Sequence, residues 1–261
     1  MLKLAAGTVD MVRRPAGGLV VLLYHRVGAH TAVSVDLPTV VFDEQMAELA
    51  ATTTVLTLDD AVTRLAAGED LTGHVVVTFD DGTADFVDEA TPVLERHGVP
   101  ATLYVATRHI DEQLAFPDDG RPASWQGLAD AVSTGHITIG SHTHSHALLD
   151  RLAPTAVADE LDRSIELLGA QLGVDATHFA YPKALSPSAA ADRAVRRRFR
   201  SAAIAGTRAN PPGSDRHALR RSPVQTSDGS HWFRRKVAGG LGLEDDLRVV
   251  ANRRRYAGAT A

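Results

Sequence analysis

A run of β-branched and aromatic residues ending in two adjacent acids, Val75-Val76-Val77-Thr78-Phe79-Asp80-Asp81-Gly82, restricts the folds open to this chain more than any other stretch. A strand that is apolar at nearly every position must be covered on both faces, which is the environment of a parallel sheet flanked by helices. Carboxylates at the carboxyl end of such a strand fall on the edge where parallel α/β folds gather their sites. Acids in that place also cap helices, and a helix is expected to begin near Asp85. The rest of the chain has to decide between the two roles.

The elements around this strand alternate. Leu19 to Tyr24 reads as a first buried strand ending at His25, and Phe42 to Ala51 has helical spacing. A short strand is expected at Thr54 to Thr57 and a helix from Leu58 to Ala67, stopped by Gly68. Beyond the acids, a helix from about Asp85 to His97 closes at Gly98, and Ala101 to Ala106 is a strand. Asp111 to Arg121 is rich in turn residues and reads as a loop over the sheet edge. Ile137 to Gly140 is a strand. Pro154 to Leu172 is an amphipathic helix with Val157, Leu161, Ile165, Leu168 and Leu172 on one face. Phe179 to Tyr181, a helix from Ser188 to Arg198 and a strand at Ser201 to Ile204 complete the pattern, which weakens from Pro211 onward. Strands alternating with helices predict parallel βαβ units, in a barrel or a doubly wound sheet. No repeat or low-complexity linker divides the chain, so a single domain is expected.

Composition narrows the function classes. The 261 residues, 44% hydrophobic and 23% charged, are those of an ordinary globular protein. A net charge of -5 argues against a nucleic-acid binder. Charge is uneven: from Asp192 onward 16 Lys and Arg stand against 6 Asp and Glu. This leaves open peripheral contact with a membrane or an anionic polymer through the basic C-terminal region. There is no cysteine, so neither disulfides nor thiolate chemistry are available. Leu19 to Leu23 is too short for a secretory core or a membrane span, so a cytoplasmic or peripherally membrane-associated protein is expected.

Placed on these elements, the polar residues converge. His25 ends the first strand, Asp80 and Asp81 end the third, His142 and His146 follow the strand at Ile137, and Tyr181 ends the strand at Phe179. In a parallel barrel these points share one rim. The four-residue spacing of His142 and His146 suits two imidazoles on one side of a helical turn. With one carboxylate they form a two-His, one-carboxylate set that leaves positions open for water and substrate. The second carboxylate is then free to act as a general base.

These residues resemble the polysaccharide deacetylases of carbohydrate esterase family four, which share the nodulation-type (NodB) homology domain. Thr78-Phe79-Asp80-Asp81-Gly82 is similar to that family's first motif, and His142-Thr143-x-x-His146 to its second. The resemblance runs from about Leu19 to Val224. It implies a distorted (β/α)7-type barrel over residues 18–242, between an N-terminal extension (1–17) and a basic C-terminal tail or helix (243–261). It also implies a hydrolase that removes N-acetyl groups from an N-acetylated carbohydrate, polymer or conjugate, by way of a metal-activated water. Carried over by motif, Asp80 is the general base and Asp81, His142 and His146 hold the metal. Zinc is the expected ion, with cobalt, nickel or manganese also compatible with such ligands. Tyr181, in Phe179-Ala180-Tyr181-Pro182, is similar to the third motif, where its backbone N–H would help hold the oxyanion.

The chain departs from the family in two places. Lys183 and Ala184 stand where an aromatic residue and glycine commonly follow the proline. No Leu-x-Leu-His strand end occurs near the carboxyl terminus to supply the general acid. Leu22-Leu23-Tyr24-His25 resembles the permuted order of some relatives, and makes His25 the expected acid. Arg221 resembles an arginine that pairs with the base in such relatives. Two rivals stand beside this reading. One is an amidohydrolase-like barrel using the His142-x-His144 pair, with His144 otherwise expected to be exposed. The other is a catalytically silent carbohydrate-binding relative.

Overall fold

A computed structural model describes residues 16–184 and 187–242, so the expected tail at 243–261 and nearly all of the 1–17 extension lie outside the described residues. Among these, the strands in chain order are β1 (Val20–Tyr24), β2 (Arg26–Val27), β3 (Asp36–Leu37), β4 (Thr54–Val55), β5 (His74–Phe79), β6 (Ala101–Val105), β7 (Ile137–Ser141), β8 (His178–Ala180), β9 (Ser201–Ala205) and β10 (Leu219–Pro223). Seven of them, β1 and β5 to β10, form a closed parallel ring. β1 shuts it by pairing with β5 on one side (Val20 with Val75 through Tyr24 with Phe79) and β10 on the other (Val21 with Arg221). β4 adds to the first residues of β5, and β2 pairs with β3 beyond the end of β1. The barrel expected from the sequence is the one observed.

The two faces of each strand bury against different things. The outward residues Val20, Leu22, Val75, Val77, Phe79, Leu103, Ile137 and Ile139 pack with Phe42, Met46, Leu49, Phe86, Leu94, Leu128 and Leu168 of the surrounding helices. The inward residues Leu19, Val21, Val76, Tyr104, Ala180, Ala203 and Leu219 form a second cluster. It is closed at the amino ends of the strands by the helix Leu58–Ala66, through Leu58, Ala61, Val62 and Leu65. Because side chains alternate with period two, this register carries upward. Thr78 and Asp80 follow Val76 on the inner face, Arg221 follows Leu219, and His25 follows Val21 and Leu23. The barrel therefore changes from apolar at its plugged end to charged at the carboxyl ends of its strands.

Local chemistry moved several boundaries. The strand expected at Thr54 to Thr57 ends at Val55, because the Thr57 side chain caps the next helix by accepting the Asp60 N–H (3.2 Å). The helix expected from about Asp85 begins as a wide π turn, Phe86–Ala90, before the α-helix Thr91–His97. Pro92 has no N–H for the carbonyl one turn back, and Thr91 donates to the Phe86 carbonyl from both its N–H and its hydroxyl (2.9 Å). On the helix Pro154–Leu172, Ser164 is fully buried on the face predicted to be apolar, where it bonds the Ser141 hydroxyl at 2.8 Å. No described helix is long and apolar enough to cross a membrane.

Candidate metal centre and its buried ion pair

The chain leaves β5 through an elbow. Asp81 has φ 77° and Gly82 φ 101°, a left-handed pair that turns the backbone away from the sheet at once. For a non-glycine residue this costs on the order of 1–3 kcal/mol, the kind of strain found where geometry serves a site. It sends the two acids to different partners. Asp80, buried, keeps the inward register. Asp81 turns toward the loop after β7, with its carboxylate oxygen 3.7 Å from His142 Nε2 and 3.4 Å from His146 Nε2.

His142 and His146 do not lie on a helical turn as their spacing suggested. They sit in an irregular loop after β7, with left-handed conformations at Thr143 (φ 67°) and His146 (φ 61°). The loop is pinned from the helix Pro154–Leu172, where the Glu160 carboxylate accepts from the Ser145 N–H (2.8 Å) and hydroxyl (2.6 Å). Thr143 Oγ1 accepts the Ala147 N–H. The Nδ1–H of His142 donates to the Ala180 carbonyl at 2.8 Å, which leaves Nε2 as the lone-pair nitrogen facing the acids. One ligand atom from each of Asp81, His142 and His146 lies within 4.8 Å of the others. Two imidazoles and a carboxylate, with one ring tautomer already fixed, fit a divalent ion.

Asp80 has a different partner. Arg221, fully buried on β10, binds it with both terminal nitrogens: Nη1 to Oδ1 at 2.6 Å and Nη2 to Oδ2 at 2.8 Å. Nη1 also donates to the Thr78 hydroxyl at 3.3 Å. The pairing follows from the inward register of both strands. Arg221 further lies over the Tyr104 ring, 5.2 Å from its centroid. Asp80 Oδ2 stands 3.8 Å from His142 Nε2, at the edge of the ligand cluster.

These contacts set the charges. Burial by itself raises Asp80, but the Arg221 guanidinium outweighs it through its charge and hydrogen bonds and holds the carboxyl below its usual range. Burial opposes ionisation of Asp81 too, but its contact with His146, the largest of the opposing causes, helps hold the carboxyl below its usual range. Burial takes His142 down to about 4 despite the neighbouring Asp80 charge, so its ring is neutral and able to bind metal at neutral pH. A histidine whose pKa falls from 6.5 to about 4 on folding makes the unfolded chain bind more protons between those values. The metal-free protein is therefore expected to lose stability as pH falls through that window. It loses more below the ordinary aspartate range, where the depressed Asp80 and Asp81 are protonated first in the unfolded chain. Thermal unfolding of chelated protein at stepped pH measures this, and a Tm flat from pH 6.5 to 4 would contradict it.

The other expected residues divide. His25 ends β1 beside the acids, since Tyr24 pairs with Phe79 and its carbonyl accepts the Asp80 N–H at 3.1 Å. Its Nδ1 is buried with no hydrogen-bond partner. Tyr181 requires a correction: its backbone N–H donates to the Ala203 carbonyl at 3.1 Å as part of sheet pairing, so it is not available to an oxyanion. Its ring packs edge-on against Phe179. His144 is half-buried rather than exposed, with Nδ1 at 3.0 Å from the Thr107 hydroxyl, and it stands outside the ligand cluster. His217 precedes β10, at the far end of the barrel, and bonds the Phe199 carbonyl. Lys183 is exposed, with φ 54°. Sequence reasoning missed Tyr104, Glu160 and Ser164, and also His109, which stacks on Phe116 (4.1 Å between centroids) and lies 6.5 Å from His146.

The sequence model described as polysaccharide deacetylase matches residues 67–201. A chitin deacetylase of Arthroderma benhamiae is 26% identical over 124 residues, which is 45% of this chain and 31% of that protein. The chain spans about a third of the length of the curated relatives it matches. Among solved structures, the Streptococcus pyogenes deacetylase PplD in complex with acetate superposes with a TM-score of 0.76 at 18% identity, covering 85% of this chain and 99% of that one. IcaB from Ammonifex degensii gives 0.74 at 24% identity, covering 86% and 98%. At these identities the two structures speak for the fold.

Proposed function

The chain belongs to the polysaccharide deacetylase family, and from that premise we propose that it is a metal-dependent hydrolase that removes N-acetyl groups from N-acetylated amino sugars. The observation that carries the reading is the division of the two adjacent acids. Asp81 faces His142 and His146, whereas Asp80 is held apart by Arg221. Asp81, His142 and His146 hold the ion, with zinc the expected one. A divalent ion bound there supplies Lewis acidity toward the acyl oxygen and makes a nearby water more acidic.

The chain's own residues do the remaining work. Asp80, kept ionised by Arg221, retains lone pairs that the guanidinium does not use and takes a proton from the attacking water. That water adds to the acetyl carbon, the carbon–nitrogen bond breaks, and the amine leaves with a proton from His25. Support for His25 comes from its inward register beside Asp80 and from its unpartnered Nδ1. His25→Gln is expected to lower kcat by about 10²-fold or more with metal content unchanged, and parental turnover in that variant would sink the assignment. The chemistry as a whole is tested by incubating the purified protein with N-acetylglucosamine oligomers. Release of acetate with matching free amine supports it, and binding of the oligomers without release would favour a silent binding module.

A further inference from the structure

Arg221 is fully buried, and its hydrogen bonds all lie at the far end of its side chain. Its two terminal nitrogens grip Asp80 and Nη1 also reaches the Thr78 hydroxyl at 3.3 Å, whereas Nε has no hydrogen-bond partner, so every polar contact is on the Nη side of the guanidinium. What lies against it is the face of Tyr104, whose centroid is 5.2 Å from the guanidinium carbon. Tyr104 is itself fully buried on the inner face of β6, and its hydroxyl is also without a partner. The contact that Tyr104 makes with the ion pair is thus the face of its ring.

The barrel wall makes room for that ring. Gly140 pairs with Tyr104 across β6 and β7, and a Cβ at Gly140 would stand 2.6 Å from Tyr104 Cδ1 and 2.9 Å from Cε1. Ala180 and Ala203 present equally small inward side chains on the next two strands. Small residues on three neighbouring strands leave space in the barrel for one large aromatic, against whose face the Arg221 guanidinium lies.

We propose that Tyr104 is a positioning residue for the deacetylation reaction, its ring face confining the Arg221 guanidinium to the geometry that aims the Asp80 carboxylate at the ligand cluster. This rests on the reading of Asp80 as the base. Tyr104 is not among the residues of the Asp81, His142 and His146 cluster, so its removal is expected to act on turnover rather than on metal content.

The test is a double-mutant cycle on the zinc-loaded protein, reading kcat, KM and metal content with N-acetylglucosamine oligomers. Tyr104→Phe keeps the ring and is expected to hold kcat within about twofold, whereas Tyr104→Leu loses about tenfold in kcat with KM and metal unchanged. In an Arg221→Lys background, which has no planar fork to confine, Tyr104→Leu is expected to cost no more than about twofold further. Parental kcat in Tyr104→Leu, or an undiminished loss in the Arg221→Lys background, would overturn the proposal. If Tyr104→Leu does not fold, Tyr104→Met, whose unbranched flexible chain adapts to the space without offering a flat face, is read by the same two outcomes. Full turnover in Asp80→Asn would remove the base assignment by itself, so that failure is distinguishable from a failure of the cycle.

Discussion

Replacing Asp80 with asparagine is expected to lower kcat for acetate release by roughly 10²–10⁴-fold, the range of a positioned general base, while metal content stays at the parental level. The asymmetry with its neighbour makes this informative. Asp80 and Asp81 are adjacent in sequence, yet the left-handed elbow at Asp81 sends one carboxylate to Arg221 and the other to the two histidines. Asp81→Asn removes the only carboxylate of the three-ligand cluster and is expected to weaken metal binding itself. Metal analysis and steady-state kinetics on both variants separate the roles. Equal metal retention in the two would contradict the division.

The second large effect concerns stability. Arg221→Ala leaves the Asp80 carboxylate buried without its countercharge, and breaking a buried pair from one side costs about 3–5 kcal/mol. For a chain of this size each kcal/mol lowers Tm by roughly 2–4 °C, so the loss is readily measured. Removing both charges differs in sign from removing one. Arg221→Met combined with Asp80→Leu is expected to recover much of the stability, because neither charge is then stranded in the barrel, and to recover no activity. A double variant as unstable as Arg221→Ala would show that shape at Arg221, rather than unpaired charge, dominates the cost.

How far the sequence could be read depended on the range of the signal. The parallel α/β sheet was legible because β1, β5 and β6 are mainly apolar, β-branched or aromatic, a pattern that burial on both faces explains, whereas its closure into a barrel was expected only from the family resemblance. The candidate ligand cluster was legible because its members lie in two short segments, each directly after a strand. β10 was harder to see, since Leu219-Arg220-Arg221-Ser222-Pro223 has the composition of a surface segment. Its charge at Arg221 is buried only because Asp80, 141 residues earlier, meets it across the barrel. Nor could local pattern show that the Tyr181 N–H is used by sheet pairing, which is a property of the neighbouring strand. The histidine loop misled for a related reason. A four-residue spacing suits a helix, but here left-handed turns at Thr143 and His146, braced by Glu160 from the α-helix that follows, bring the rings together.

Hydrolysis is expected to depend on an ion held by Asp81, His142 and His146. Titrating chelator-stripped protein with zinc while following acetate release from N-acetylglucosamine oligomers tests it most directly. Activity is expected to be absent from the stripped protein and to rise to a plateau at one equivalent of metal, with no such rise in Asp81→Asn at the same zinc concentrations. Acetate release that survives stripping, or a plateau that Asp81→Asn reaches equally well, would contradict it.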